Sequence, residues 1–194
     1  MKSITPQSNH VLIIDNHDSF VYNLAHYIEM NNFIPIVKRP GLIDLNSIAN
    51  YNHILISPGP GLPYETPLLA EVIKKYGSTK NILGVCLGHQ AIAEFLGAEL
   101  YNLKAVHHGV SSRITKTNAP NRLLMGLPTE FDVARYHSWA VRDLPDCLIS
   151  TSYDKEGCIM SFEHKEFRLF GVQFHPESIL TPLGMNILKN WLTY

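Results

Sequence analysis

Cysteine is scarce in this chain: three residues among 194, widely spaced and odd in number. That does not form a disulfide framework, so the fold must rest on its apolar core. No Cys-x-x-Cys or His-Glu-x-x-His spacing occurs, which removes the common zinc motifs. Excess charge of one sign is absent too. Sixteen basic residues stand against 17 acidic ones, and neither lysine nor arginine forms a run. Nucleic acid and anionic membrane are thereby excluded as main partners. No stretch approaches the ~18 consecutive apolar residues that would cross a bilayer. The opening "MKSITPQSNH" lacks the apolar segment of a secretory signal, and a cytoplasmic location is expected. Linkers, repeats and low-complexity tracts are missing as well. One domain is expected over 11–194, preceded by a polar leader over 1–10.

What is present is patterned. "VLIID" (11–15), "IPIVKR" (34–39), "HILIS" (53–57) and residues 82–86 are short apolar runs that suit strands buried on both faces. Between them lie helical spacings. "DSFVYNLAHYIEMNN" puts Phe20, Leu24, Tyr27 and Ile28 on one face, with Asp18 or Ser19 as N-cap. A short helix is expected near 44–50, and another from Thr66-Pro67 to about Tyr76, followed by one over 88–97. Strands alternating with helices imply a parallel sheet covered on both faces. Beyond residue 98 the chain becomes strand-rich, in "DVARYHSWAV", "CLISTSY", "GCIMSFEH" and "FRLFGVQFH". These segments suit an antiparallel or mixed extension of the same sheet. Thr181-Pro182 then starts a closing helix, "LGMNILKNWL". The fold class is α/β.

The chemistry concentrates at three places. In Gly84-Val85-Cys86-Leu87-Gly88 a strand runs straight into a helix through a cysteine flanked by glycines. That is the logic of a nucleophile elbow: a strained turn, with small neighbours that let strand and helix approach. The helix N-terminus suits a thiolate, and the Leu87 amide is free to donate to an oxyanion. A buried structural cysteine beside packing glycines is the plainer alternative. A thiolate nucleophile also needs a proton shuttle. Most of the ten histidines have ordinary explanations, but "LFGVQFHPES" brings an apolar strand up to His175. Pro176 ends the pairing there and biases His175 to an extended backbone, so Glu177 can lie beside it and orient the imidazole. A capped strand end with a surface salt bridge would look the same. Lastly, "SPGPG" (57–61) follows a strand, where a stiff loop exposes backbone amides. Gly59 could supply a second oxyanion donor. A rigid turn or a phosphate cradle are the alternatives, although no Walker lysine or Gly-x-Gly-x-x-Gly follows. All three places would fall at the C-terminal edges of parallel strands, where open α/β sheets put their sites. Cys158, alternating with Met160 and Phe162, and Cys147, at the head of an apolar strand, suit the core.

"SPGPG", "GVCLGHQAIAEFLGA", "RYHS", "GVQFHPESIL" and "DNHDSFVYNLA" together resemble the class I (triad) glutamine amidotransferases, over nearly the whole chain from Val11 onward. Within that class the chain looks like component II of anthranilate synthases and the related glutaminase of aminodeoxychorismate synthases. The resemblance implies a flavodoxin-like glutaminase domain that hydrolyses L-glutamine to glutamate and ammonia. It implies Cys86 as nucleophile, His175 as general base and acid, and Glu177 as its orienting group. Gly59 and Leu87 match the oxyanion-hole amides. Gly59-Pro60-Gly61, Gln90 and Ser138-Trp139 match the glutamine-binding positions. It implies no cofactor in this chain, with magnesium expected only in a partner. That partner is a chorismate-using synthase subunit: component I of anthranilate synthase first, component I of aminodeoxychorismate synthase as the alternative. Two departures stand out. His108-Gly109-Val110 replaces a usual His-Gly-Lys, and Tyr136-His137-Ser138-Trp139 replaces Tyr-His-Ser-Leu. A stand-alone γ-glutamyl hydrolase on the same fold would need the same three residues. A non-enzymatic binding module would not need them intact.

Overall fold

A computed structural model describes residues 9–194. Most of the expected leader therefore lies outside the described residues, and His10, its last member, already begins the first strand. In chain order β1 (His10–Ile14), α1 (Val21–Met30), β2 (Ile34–Lys38) and β3 (His53–Ile56) come first. Next are α2 (Pro67–Tyr76), β4 (Asn81–Val85), α3 (Leu87–Phe95) and β5 (Glu99–Asn102). The strand-rich half holds β6 (Val110–Lys116), β7 (Glu130–Arg135), β8 (Trp139–Arg142), β9 (Leu148–Asp154), β10 (Ile159–His164) and β11 (Leu169–Val172). The closing helix is α4 (Gly184–Thr193). The short helix near 44–50 is a 3-10 helix, Leu45–Asn50, with the Asp44 carboxylate accepting from the Asn46 amide.

One nine-stranded sheet has the order β2-β1-β3-β4-β11-β10-β9-β6-β7. Its first five strands are parallel, in the 2-1-3-4-5 arrangement of flavodoxin-like folds. From β10 onward every pairing is antiparallel. The alternation of side chains along β1 feeds two cores. Val11 and Ile13 pack with Leu24 and Ile28 of α1 and with Leu188 and Trp191 of α4. Leu12 and Ile14 pack on the other face with Leu69 and Val72 of α2 and Ile92 of α3. A strand buried on both faces has to be apolar throughout, which is why "VLII" carries no polar residue.

Several expectations need correction. β5 and β8 pair only with each other, as a separate two-stranded sheet, so not all of the strand-rich half extends the main one. "DVARYHSWAV" is accordingly broken at Tyr136–Ser138 into strands of two different sheets. Helix α1 begins at Val21 with Phe20 as N-cap and no side-chain cap; its buried face is Val21, Leu24, Ala25 and Ile28, and Phe20 is exposed. Thr66 likewise makes no side-chain cap to α2. Cys158 and Met160 face one core and Phe162 the other, because register shifts around Ser161 reverse the alternation of β10. β11 ends at Val172, and His175 lies beyond it in an isolated bridge to Ala134.

Thr181 does not start α4, which begins at Gly184 with Leu183 as N-cap. Its hydroxyl instead donates to the His175 carbonyl at 2.7 Å and accepts from the Ala134 amide at 2.9 Å. With the His175 amide donating to the Ala134 carbonyl at 3.0 Å, this ties the end of the His175 segment to β7. Replacing Thr181 with valine keeps the shape, leaves the buried Ala134 amide without its acceptor, and leaves the His175 carbonyl only the Ser178 amide at 3.3 Å. Urea unfolding should show a loss of about 1–3 kcal/mol. A midpoint equal to that of the unaltered chain would mean that the clamp contributes nothing.

Candidate active site

The C-terminal edges of β1, β3, β4 and the segment beyond β11 converge on one corner of the sheet. Cys86 is the residue between β4 and α3, with φ 50° and ψ −100°, a conformation unusual for any residue but glycine. Two close approaches force that turn. A methyl group at Gly84 would lie 2.3 Å from the Gly88 carbonyl, and one at Gly88 would lie 2.4 Å from the Ile56 carbonyl of β3. The Cys86 amide donates to the Val172 carbonyl of β11 at 2.8 Å, and its carbonyl accepts from the Gln90 amide at 3.0 Å. Leu87 opens α3, so its amide has no acceptor one turn back.

His175 and Glu177 lie together as their spacing suggests: His175 Nδ1 is 2.6 Å from Glu177 Oε1, and both side chains are buried. That removes the exposed salt bridge as an explanation. Nε2 of the same ring is buried without a hydrogen-bond partner. Burial opposes a charged ring, but the neighbouring Cys86 thiol and the Glu177 carboxylate outweigh it and raise the His175 pKa. Tyr136 packs edge-on against the imidazole, with ring centres 4.8 Å apart. Asp18, expected as a helix cap, sits near this pair instead. Burial first, and then the Glu177 charge, raise its pKa, and its Oδ2 is buried and unpartnered.

The loop after β3 is braced from β1. The Asn16 amide donates to Ser57 Oγ at 2.9 Å, and Asn16 Nδ2 donates to the Ser57 carbonyl at 3.0 Å. A methyl group at Gly59 would lie 2.3 Å from the Asn16 carbonyl, so the two loops touch through backbone. Sequence reasoning did not single out Asn16, whose one signal was its place in "DNHDSF".

A cavity of about 170 Å³ lies over Cys86. Gly59, Pro60, Gly61, Leu87, Gln90, Ser138 and Trp139 line it, joined by Tyr136 and His137, so every expected pocket residue is brought together. A second opening of about 420 Å³ reaches Cys86 and His175 past Asp18, Phe20, His108 and Tyr136. A hollow of about 340 Å³ at the opposite edge of the sheet, lined by His53, Lys80 and Arg168, holds none of Cys86, His175 and Glu177. Among the described residues no group of three or more His, Cys, Asp or Glu is placed to hold a metal ion. No helix is long and apolar enough to cross a membrane among those residues.

The glutamine amidotransferase class-I family pattern matches residues 12–193. The chain belongs to that family. Anthranilate synthase component 2 of Saccharolobus solfataricus is 43% identical over 188 residues, covering 93% of this chain and 96% of that protein. Aminodeoxychorismate synthase component 2 of Klebsiella aerogenes is 41% identical over 187 residues, covering 94% and 98%. A solved glutamine amidotransferase of Thermotoga maritima superposes with TM-score 0.74 over 96% of this chain and 97% of its own; at 19% identity it speaks for the fold alone. The elbow, the His-Glu pair and the cavity thus sit in a class-I glutamine amidotransferase domain.

Two histidines of this amidotransferase are held neutral. Burial, and then the Arg135 charge, lower His137 to about 3. Burial lowers His89, packed at a tilt against Phe162, to about 3 as well. As pH falls below the ordinary value of 6.5, the unfolded chain binds protons that the folded one refuses, so stability is lost between 6.5 and about 3. His137→Asn removes one titrating ring while keeping an N–H near the Trp139 carbonyl. Tm measured against pH should therefore fall less steeply on the acid side in the variant. Equal slopes would mean that His137 protonates freely in the folded chain.

Proposed function

We propose that this chain hydrolyses L-glutamine at Cys86 and passes the ammonia to a chorismate-using synthase subunit. The observation that carries this is the Cys86 elbow opening onto a cavity beside a buried His175–Glu177 pair whose Nε2 is unpartnered. The Cys86 thiolate attacks the side-chain carbonyl carbon of glutamine. Charge moves to the carbonyl oxygen, facing the Leu87 amide and the Gly59 loop. Nε2–H of the charged His175 then protonates the amide nitrogen, the C–N bond breaks and ammonia leaves. Neutral His175 takes a proton from water, which attacks the γ-glutamyl thioester, and glutamate departs as the thiolate is restored. Glu177 holds the Nδ1–H tautomer and offsets the charge of the imidazolium. Gln90, Ser138 and Trp139 hold the backbone groups of the substrate, and the Gly59-Pro60-Gly61 loop contacts the glutamine. Thiolate, imidazole and water complete the chemistry, so it calls for no cofactor in this chain.

Ammonia released into neutral water would become ammonium and lose its nucleophilicity, which favours transfer within a complex. The motif set and the names of the relatives favour component I of anthranilate synthase. The Klebsiella relative supports component I of aminodeoxychorismate synthase as the second reading. Co-purification from native extract separates the two by which synthase is retained.

Cys86→Ser should abolish glutamine-dependent synthesis by the complex and leave ammonia-dependent synthesis intact. Glutamine use at the unaltered rate would remove Cys86 from the role of nucleophile. Glu177→Gln should lower kcat strongly with little change in KM, because it acts on the imidazolium rather than on the substrate. A raised KM with kcat preserved would contradict the orienting role.

A further inference from the structure

Gln173 follows β11 directly, is fully buried, and belongs to none of the roles above. Its amide contacts two groups: Oε1 lies 3.1 Å from Gln90 Nε2, and Nε2 lies 3.7 Å from Cys86 Sγ. Amide orientation is often ambiguous, but here the surrounding partners fix it. Gln90 Nε2 also donates to the Trp139 backbone carbonyl at 2.9 Å, and a carbonyl can only accept. The Gln90 group facing Gln173 is therefore N–H, the Gln173 atom facing it must be oxygen, and the Gln173 N–H is left to face the sulfur.

The Trp139 carbonyl is itself held from the other side. His137 Nδ1 lies 2.8 Å from it and must carry the proton. His137 Nε2 must then accept, which it does from Arg135 Nε at 3.0 Å. Arg135 is anchored by Asp154 at 2.5 Å, with both side chains buried. The neutral state of His137 follows from this wiring, since a second ring proton would point at the guanidinium.

We propose that Gln173 is a positioning residue for the nucleophile: its Nε2–H donates to the Cys86 thiolate, held in that orientation by the Arg135–His137–Trp139–Gln90 relay. This rests on Cys86 being the nucleophile. An amide N–H cannot be given up, so the donor persists after His175 has passed its proton to the departing nitrogen. It also favours the thiolate as leaving group when the thioester is hydrolysed, since a stabilised thiolate leaves faster.

The test is the pH profile of iodoacetamide labelling at Cys86 in the folded full chain, followed by peptide mass mapping. Gln173→Leu removes the donor. Gln173→Glu keeps the size and the acceptor for Gln90 but sets a carboxyl group beside the sulfur. Both profiles should move to higher pH, Glu further than Leu, with labelling below the midpoint slowed about tenfold in the Leu variant. In the glutaminase assay kcat should fall with KM within about twofold, because no substrate group is removed. If either variant fails to fold, the other gives the readout. Should both fail, the Gln173 side-chain amide proton signal in the unaltered chain should titrate at the labelling midpoint. Profiles unmoved by the variants, or an amide signal unmoved by pH, would overturn the inference and leave the nucleophile standing. Labelling of Cys86 no faster than that of Cys147 and Cys158 would overturn both.

Discussion

The turn at Cys86 is the constraint on which the rest of the site depends. A residue with a side chain is held at positive φ between a strand and a helix, and such a conformation persists only when its surroundings over-determine it. They do so through backbone contacts. Gly84 and Gly88 face each other closer than any β-carbon would allow, and Gly88 also abuts β3. The Cys86 amide is fastened to β11. With α3 pressed against the sheet in this way, the thiol has one place to go, above the strand ends. Losing either glycine would separate helix from strand and turn the Cys86 thiol away from its place above the strand ends.

Around that point the structure uses loops, each tied down by a different device. Asn16 and Ser57 brace the loops after β1 and β3 against each other. Thr181 fastens the His175 segment to β7, supplying side-chain oxygen where the ladder has ended. These polar side chains are buried because the backbone groups they satisfy are buried, and an unmatched amide there would cost more than the hydroxyl does. The strand ends provide the scaffold and a few side chains set the aim.

Electrostatically the histidines divide into two kinds. His175, between a thiol and a carboxylate, is biased toward its charged form despite burial. His89 and His137, equally buried, have no acidic partner and stay neutral. The same side chain is thus biased toward charge in one place and is fixed, neutral hydrogen-bonding or packing material in the others. The difference comes from what lies within a few ångströms of the ring, not from depth.

The local sequence determined much of this protein. The apolar runs and helical spacings placed the strands and helices of the first half within a residue or two, because periodicity reports burial directly. Gly-x-Cys-x-Gly marked the elbow, since sterics leave few other uses for that spacing before a helix. Glu177 was placed beside His175 by the two-residue repeat of an extended backbone, which needs no knowledge of the rest of the chain. Three classes of feature were not legible. Thr181 and Asp18 have the composition of helix caps, but distant partners, Ala134 and the His175–Glu177 pair, determine where they act. The phase of β10 is reversed by irregular pairing with β9, and a bulge in one strand exists only relative to another. The link from Asp154 through Gln90 to Gln173 joins residues up to 83 positions apart at a single bond. Such a network forms only once β7, β9, α3 and the segment after β11 have been brought together, so tertiary structure alone decided which polar residues meet.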